Sequence, residues 1–383
     1  MASRKRAYPH SISPHYLLPQ GWVSYPTKKR TQKAMSKPIQ IDGRQGEGGG
    51  QILRTSLALA SLLRKPVQIH HIRGGRKRPG LRPQHLMAVK AMASITGGKM
   101  KGAEPGSMHL FFEPGQIRAG SYSFDVGTAG STSLVLQTMI PALLFGKGVS
   151  SVLITGGTHV PWSPCFHYLS QVFAPALACI GNVLALEIEH WGWYPKGGGK
   201  IKAGISPVSL LRSTERAQRG ELKEIRVLSA VSNLSMSIAE RQRDQVIRRF
   251  HGHGLKTPRV EMLSAPSQGT GTLVFLMCRF EGGTAGFTSL GKKGKRAEEV
   301  ADDACSDLLQ FLASDAAMDE HLADQLILYM ALAKGRSSIV TERITTHLRT
   351  NMWVVEQFLP VTFQADETKG IVSVEGVGFG PAQ

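Results

Sequence analysis

Asp42-Gly-Arg-Gln-Gly-Glu-Gly-Gly-Gly-Gln-Ile-Leu-Arg54 holds five glycines in positions 43–50 and runs unbroken into an apolar stretch ending near Leu63. Glycine lets the backbone take positive φ and approach other groups closely. A glycine turn that opens a helix also leaves the first N–H groups unpaired at the positive end of the dipole, which suits an anion. The stretch is not a dinucleotide fingerprint, because Gly46-x-Gly48 is followed three positions later by Gln51, where that motif needs glycine. It reads as strand, turn and helix, with a plain tight turn and a phosphate cradle both open.

The pattern recurs along the chain. Helices are expected over 51–63 and 83–95. Gly127-Thr-Ala-Gly130 then opens one over 131–145, followed by one over 164–180, and a third pair lies at 321–333 and 350–359. Runs at 67–72, 109–113, 152–155, 185–190 and 370–374 read as strands. The expected fold class is α/β (α+β), with three repeated βαβαββ-like units in a large domain. Ahead of the third pair, residues 216–314 carry a different pattern: strand 224–231, helix 238–250, strands 259–264, 271–280 and 284–289, helix 297–312. A structureless connection of that length is rare in a compact domain. The segment therefore reads as a small α/β domain inserted before the third unit, leaving 39–215 plus 315–383 as the large domain. Residues 1–38 show neither period and read as a disordered basic arm or a non-native extension, with nucleic-acid binding as its functional reading.

The net charge is +18, with 42% hydrophobic and 19% charged residues. Arg4, Lys5, Arg6, Lys28, Lys29, Arg30 and Lys33 account for seven of those charges, so the remainder is still basic and suits a nucleic acid or a nucleotide. Cys165, Cys179, Cys278 and Cys305 lie far apart and read as reduced thiols. The longest apolar stretch, 134–145, contains Gln137 and Pro141 and is too short to span a bilayer. No signal-peptide core follows the basic start. The expectation is a soluble, cytoplasmic protein with no membrane partner and with its subunit count left open.

Several clusters invite a chemical reading. Arg73, Arg76, Lys77, Arg78 and Arg82 are broken by Gly74, Gly75, Pro79 and Gly80, which makes a shaped loop in which arginine forks can take phosphate oxygens in pairs. A solvated charged face is the plain alternative. Gly286-x-x-x-x-Gly291-Lys292 has phosphate-loop spacing but continues with Lys293 where Ser or Thr is needed, so it is discarded. His251-x-His253 and Cys165-x-His167 lack a partner pair at zinc-finger spacing and read as surface or packing residues. Thr345-Thr346-His347 ends a β-branched stretch before the helix expected at 350, which puts an imidazole on a strand-to-helix loop.

Together, and in this order, these segments resemble the RNA 3′-terminal phosphate cyclase family. The strings are the opening stretch, Ile72-Arg-x-Gly-Arg76, Pro79-Gly-Leu-Arg-Pro-Gln-His85, Gly127-x-Ala-Gly-Ser131 with Leu134-Val-Leu-Gln137, Gly192-x-Tyr-Pro-x-Gly-Gly-Gly199, Leu322-Ala-Asp-Gln-Leu326 and His347-Leu-x-Thr-Asn351. The resemblance runs from about Ile39 to the C-terminus. It implies three repeated units with an inserted small domain, and an ATP-dependent, ligase-class reaction on RNA ending in a 3′-phosphate. A histidine takes AMP from ATP, AMP passes to the terminal phosphate, and the neighbouring 2′-OH displaces it to leave a 2′,3′-cyclic phosphate. The chemistry is reasonable: covalent catalysis divides a hard activation into easier steps, imidazole is a usable nucleophile near neutral pH, and only RNA carries the 2′-OH.

By resemblance His347 is the nucleophile. Gln137, His321, Leu322, Ala323, Asp324 and Gln325 match ATP-contacting positions, although the stretch 322–326 also fits helix packing. Glu47 is the acid expected to hold a divalent ion, Mg²⁺ or Mn²⁺. Arg54, Arg73 and Arg76 are expected on phosphates of ATP or of the RNA end, with Gln84 and His85 as further candidates. A non-catalytic branch of the family, an RNA-binding protein of ribosome biogenesis, lacks the histidine, so His347 argues for the enzyme. The basic N-terminal arm and the bulky stretch Trp162-Ser-Pro-Cys-Phe-His167 depart from the family pattern.

Overall fold

The computed structural model describes residues 37–380, so the basic arm expected over 1–38 lies almost wholly outside the described residues. The first unit runs β1 (Ile39–Asp42), α1 (Gly50–Leu63), β2 (Val67–His70), α2 (Pro83–Thr96), β3 (Lys99–Lys101) and β4 (Leu110–Glu113). The second runs β5 (Ser121–Asp125), α3 (Thr132–Leu144), β6 (Ser150–Gly156), α4 (Phe166–Tyr168), a π-helical turn Leu169–Phe173, α5 (Ala174–Cys179), β7 (Leu184–His190) and β8 (Gly199–Ile205). The helix expected over 164–180 is thus a helical run in three parts.

A third unit starts with β9 (Glu215–Arg216). The chain then leaves it for β10 (Leu222–Ser232), α6 (Met236–Gly252), β11 (Arg259–Ser264), β12 (Gly271–Phe280), β13 (Gly283–Leu290) and α7 (Ala297–Ala313). It returns with α8 (Glu320–Leu332), β14 (Lys334–Val340), α9 (Thr346–Phe358), β15 (Gln364–Asp366) and β16 (Ile371–Val377).

The sheets have strand orders β1-β2-β4-β3, β5-β6-β8-β7 and β9-β14-β16-β15. In each, the first two strands are parallel and the rest antiparallel, so one βαβαββ topology is used three times. The segment expected to precede the third unit enters one strand later, between that unit's first strand and first helix. A two-residue strand carries no periodicity, so β9 is invisible in the sequence.

The three sheets bury one face each. β6 and β8 alternate buried and partly exposed residues, as strands covered on one side do. α1 is buried almost all round, from Gln51 to Leu62, because α2, α3 and α9 pack against it. The inserted sheet, β11-β10-β12-β13, has its own apolar cluster under α6 and α7, including Phe250, Phe275's neighbour Leu276, Cys305 and Phe311. Arg219 joins the insertion's two ends: its guanidinium donates to the carbonyls of Phe311 (3.0 Å), Leu312 (2.8 Å) and Ala316 (3.1 Å). It also lies over the Phe311 ring at 5.0 Å. Among the described residues, no helix is long and apolar enough to cross a membrane, and the four cysteines are free thiols.

Candidate active site

Two loops of the first unit and the opening turns of α8 and α9 build the site. Gly46 and Gly48 have φ of +56° and +59°, the left-handed region that favours glycine. A Cβ on Gly46 would lie 2.2 Å from Thr350 Oγ1, and one on Gly48 would lie 2.6 Å from the Gly75 nitrogen. The glycine loop is therefore pressed between α9 and the arginine loop. Glu47 N–H donates to Thr350 Oγ1 at 3.0 Å, and Gly75 N–H to the Gly48 carbonyl at 3.3 Å. α1 begins with no side-chain cap at Gly49, so its first N–H groups face the loop.

His347 lies in the first turn of α9, not on a preceding loop. Thr345 caps that helix by accepting from Leu348 N–H at 3.0 Å, which starts it four residues earlier than expected. The imidazole Nδ1 is 2.9 Å from Asp324 Oδ1 on α8, and Nε2 is 3.7 Å from Glu47 Oε2. Glu47 Oε1 in turn takes the Arg76 guanidinium. Gln51 Nε2 donates to the His347 carbonyl at 3.3 Å. Thr55 Oγ1 donates to Asn351 Oδ1 at 2.6 Å, and Asn351 Nδ2 to the Asp324 carbonyl at 3.0 Å. Asn351 thereby ties α1, α8 and α9 together directly beneath the histidine.

Arg54, Gln137, Asp324, Gln325 and Asn351 line a small pocket that opens to solvent. Burial pushes the Arg54 guanidinium down to about 10, with the Asp324 and Glu47 carboxylates opposing the shift. Burial also holds His85 well below the usual imidazole range, and Arg54, Arg73, Arg82 and Arg76 add to it. Arg54 and Arg76 thus stand beside two carboxylates, Asp324 at the pocket and Glu47 on the glycine loop.

The sequence candidates separate here. His347, Glu47, Arg54, Arg76, Asp324, Gln325 and Gln137 come together, with Gln137 Nε2 donating to Gln325 Oε1 at 2.5 Å. Arg73 commits its Nη1 to its own loop, donating to the carbonyls of Arg78 (2.6 Å) and Gly80 (3.1 Å). Gln84 Oε1 accepts from Ser131 N–H at 2.8 Å and joins α2 to the start of α3. Leu322 and Ala323 are core residues, because one helix face carries 321, 324 and 325 and the other carries 322 and 323. His321 is exposed on that first face, its ring 6.5 Å from that of Tyr168. Sequence reasoning assigned no role to Gln51, Thr55 and Asn351. Asn351 stood in the quoted His347-Leu-x-Thr-Asn351 string, and Gln51 and Thr55 lie one turn apart on α1.

The donor set also bears on a metal. Glu47 Oε2 and Gln51 Oε1 are buried oxygens with no hydrogen-bond partner among the described residues, and Asp324 Oδ1, also buried, meets only the His347 ring. Hard oxygen donors of this kind fit Mg²⁺ or Mn²⁺.

A family model described as RNA 3′-terminal phosphate cyclase matches residues 45–365. Curated relatives carry the same name. One from Pyrobaculum aerophilum is 42% identical over 344 residues, covering 89% of this chain and 99% of the relative. One from Staphylothermus marinus is 43% identical over 357 residues, covering 90% and 99%. One from Nostoc punctiforme is 40% identical over 346 residues, covering 88% and 99%.

Proposed function

The chain belongs to the RNA 3′-terminal phosphate cyclase family, and on that premise we propose that it uses ATP to convert the 3′-terminal phosphate of RNA into a 2′,3′-cyclic phosphate through an enzyme–histidine–AMP intermediate. The observation that carries this reading is the setting of His347, with Nδ1 against Asp324 and Nε2 turned toward Glu47 and the glycine loop. Nε2 attacks the α-phosphorus of ATP, forming a P–N bond as the bond to the β-phosphate oxygen breaks and pyrophosphate leaves. An oxygen of the RNA 3′-phosphate then takes AMP as the P–N bond breaks. The ribose 2′-OH closes on the 3′-phosphorus, losing its proton and releasing AMP.

Arg54 and Arg76 present fixed positive charge where phosphate oxygens gain negative charge, and the burial of Arg54 makes its charge count for more. Asp324 acts through His347 as a positioning residue, orienting the ring and stabilising the charge it acquires. Gln137 and Gln325 face the pocket as nucleotide contacts, and His321 stands at the start of α8 open to the nucleotide. Leu322 and Ala323 support that helix from the core. A Mg²⁺ or Mn²⁺ ion would be held by Glu47, with the unpartnered Gln51 oxygen as a second donor, and would neutralise charge on the triphosphate. The segment that follows β9 and ends before α8, most of the 216–314 expected from sequence, acts as an inserted module on the large domain. The non-catalytic reading is disfavoured by the retained and oriented His347.

The test is ATP labelled at the α-phosphorus. The wild-type chain should acquire acid-labile, base-stable label and close a 3′-phosphorylated RNA, whereas His347→Ala and His347→Asn should do neither. An unlabelled wild-type chain, or undiminished label in His347→Asn, would overturn the assignment.

A further inference from the structure

The turn from β6 into α4 gathers three ligand-type side chains that take no part in the candidate active site. His159 follows β6, Cys165 caps α4 by accepting from Tyr168 N–H at 3.4 Å, and His167 lies within α4. One ligand atom from each lies within 4.8 Å of the others. His159 Nε2 and His167 Nδ1 are 3.0 Å apart. His159 and Cys165 are buried, and His167 is partly exposed, which leaves a route in from solvent. The sequence reading set Cys165-x-His167 aside for want of a partner, and the fold supplies one six positions upstream of the cysteine.

We propose that His159, Cys165 and His167 form a zinc site, with the fourth position open to water. Two imidazoles and a thiolate are the nitrogen and sulfur donors zinc takes, in contrast to the oxygen donors around Glu47. Tetrahedral zinc places such atoms about 3.3–3.6 Å apart. The imidazole nitrogens, 3.0 Å apart, therefore part by a few tenths of an ångström. Thr158 Oγ1 lies 2.8 Å from His159 Nδ1 and accepts from Gly192 N–H at 2.8 Å, which holds that side of the ring and leaves Nε2 for the ion. Trp191 stacks on His159 at 4.0 Å and 9°, fixing the ring plane behind an apolar wall.

On binding, one Zn–S and two Zn–N bonds form, and the thiol proton leaves to solvent. The His159–His167 hydrogen bond is given up, and the His167 proton moves from Nδ1 to Nε2. One proton is released per ion and no oxidation state changes. The ion ties both roots of the loop 160–164 to one point. That loop carries Trp162, which is 98% exposed with a φ of +59°.

The experiment strips the full-length, reduced chain with chelator and titrates it with Co²⁺, then Zn²⁺. The expected result is one Co²⁺ giving thiolate-to-metal charge-transfer absorption and tetrahedral d–d bands, displaced by Zn²⁺. The signal should disappear in Cys165→Ala and persist in Cys179→Ser and Glu47→Ala. Thr158→Val should weaken Co²⁺ binding about 10- to 100-fold. In the wild-type chain Zn²⁺ should also slow alkylation of Cys165, a measurement independent of whether any variant folds. Absence of a thiolate band at saturating Co²⁺, its survival in Cys165→Ala, or alkylation of Cys165 indifferent to Zn²⁺ would each overturn the site.

Discussion

Asp324→Asn is the sharpest perturbation of the proposed mechanism, because it keeps the shape beside His347 and removes only the charge. The carboxylate oxygen is 2.9 Å from Nδ1. Two unit charges at that separation interact by about 6 kcal/mol at an effective dielectric of about 20, which is a ceiling for a ring that becomes cationic on attack. Asparagine retains a polar contact, so the loss falls to that of a charge-assisted interaction, about 1.5–3 kcal/mol. Single-turnover formation of enzyme–AMP at saturating ATP should slow by roughly 10- to 150-fold. Asp324 is also the foremost charge opposing the desolvation of Arg54, so a lower Tm is expected and should be measured alongside. The ATP dependence separates the two roles considered for this residue. A positioning carboxylate lowers the maximal rate, whereas a mere ATP contact raises the half-saturating concentration and leaves the maximum alone. An unchanged maximal rate of adenylation in Asp324→Asn would refute the positioning role.

Glu47→Ala should impair adenylation and recover partly as Mg²⁺ or Mn²⁺ is raised, read from metal titrations of the single-turnover rate. RNA affinity should fall steeply with salt and depend weakly on base identity, and binding isotherms flat in salt would leave the basic excess without a role. Burial, with Asp319 and Glu320 nearby, pushes the Glu342 carboxyl from 4.5 up to about 7. The folded chain thus holds more protons than the unfolded one between those values, and this residue's contribution to stability is lost as pH rises through that window. Glu342→Gln should stabilise the chain above pH 7 and leave it unchanged below pH 4, measured by denaturant unfolding at both pH values.

The repeated plan was legible because each unit announces its first helix with apolar periodicity, and glycine turns mark two of the three. Elements of two or three residues, such as β9, β3 and β15, show no period and exist only through their pairing partners. The start of α9 was misplaced because Thr345 and Thr346 look like strand residues when their hydroxyls are ignored. One of those hydroxyls is the cap that starts the helix. Within the site, residue identities were readable, but directions were not. Nothing in the string 321–325 says that Asp324 faces an imidazole while Leu322 faces the core, until α8 is rotated against α9. The burial of Arg54 and the tethering of Arg73 are likewise tertiary facts. So is the meeting of His159 with Cys165, since the intervening Pro161 and Pro164 favour extended backbone locally without fixing where it leads.

The guanidinium of Arg219 has a consequence for how this chain assembles. The third repeat must pair backbone on either side of the insertion: β9 pairs with β14, and Thr214 N–H donates to Ser337 Oγ across 123 residues. Closing so long a flexible loop is entropically costly and slows folding, though the cost grows only logarithmically with length. By fastening the start of the inserted segment to the carbonyls at its end, Arg219 turns that distance into a short bridge. The two strands β9 and β14, far apart in sequence, are thereby brought to neighbouring ends of one tethered segment.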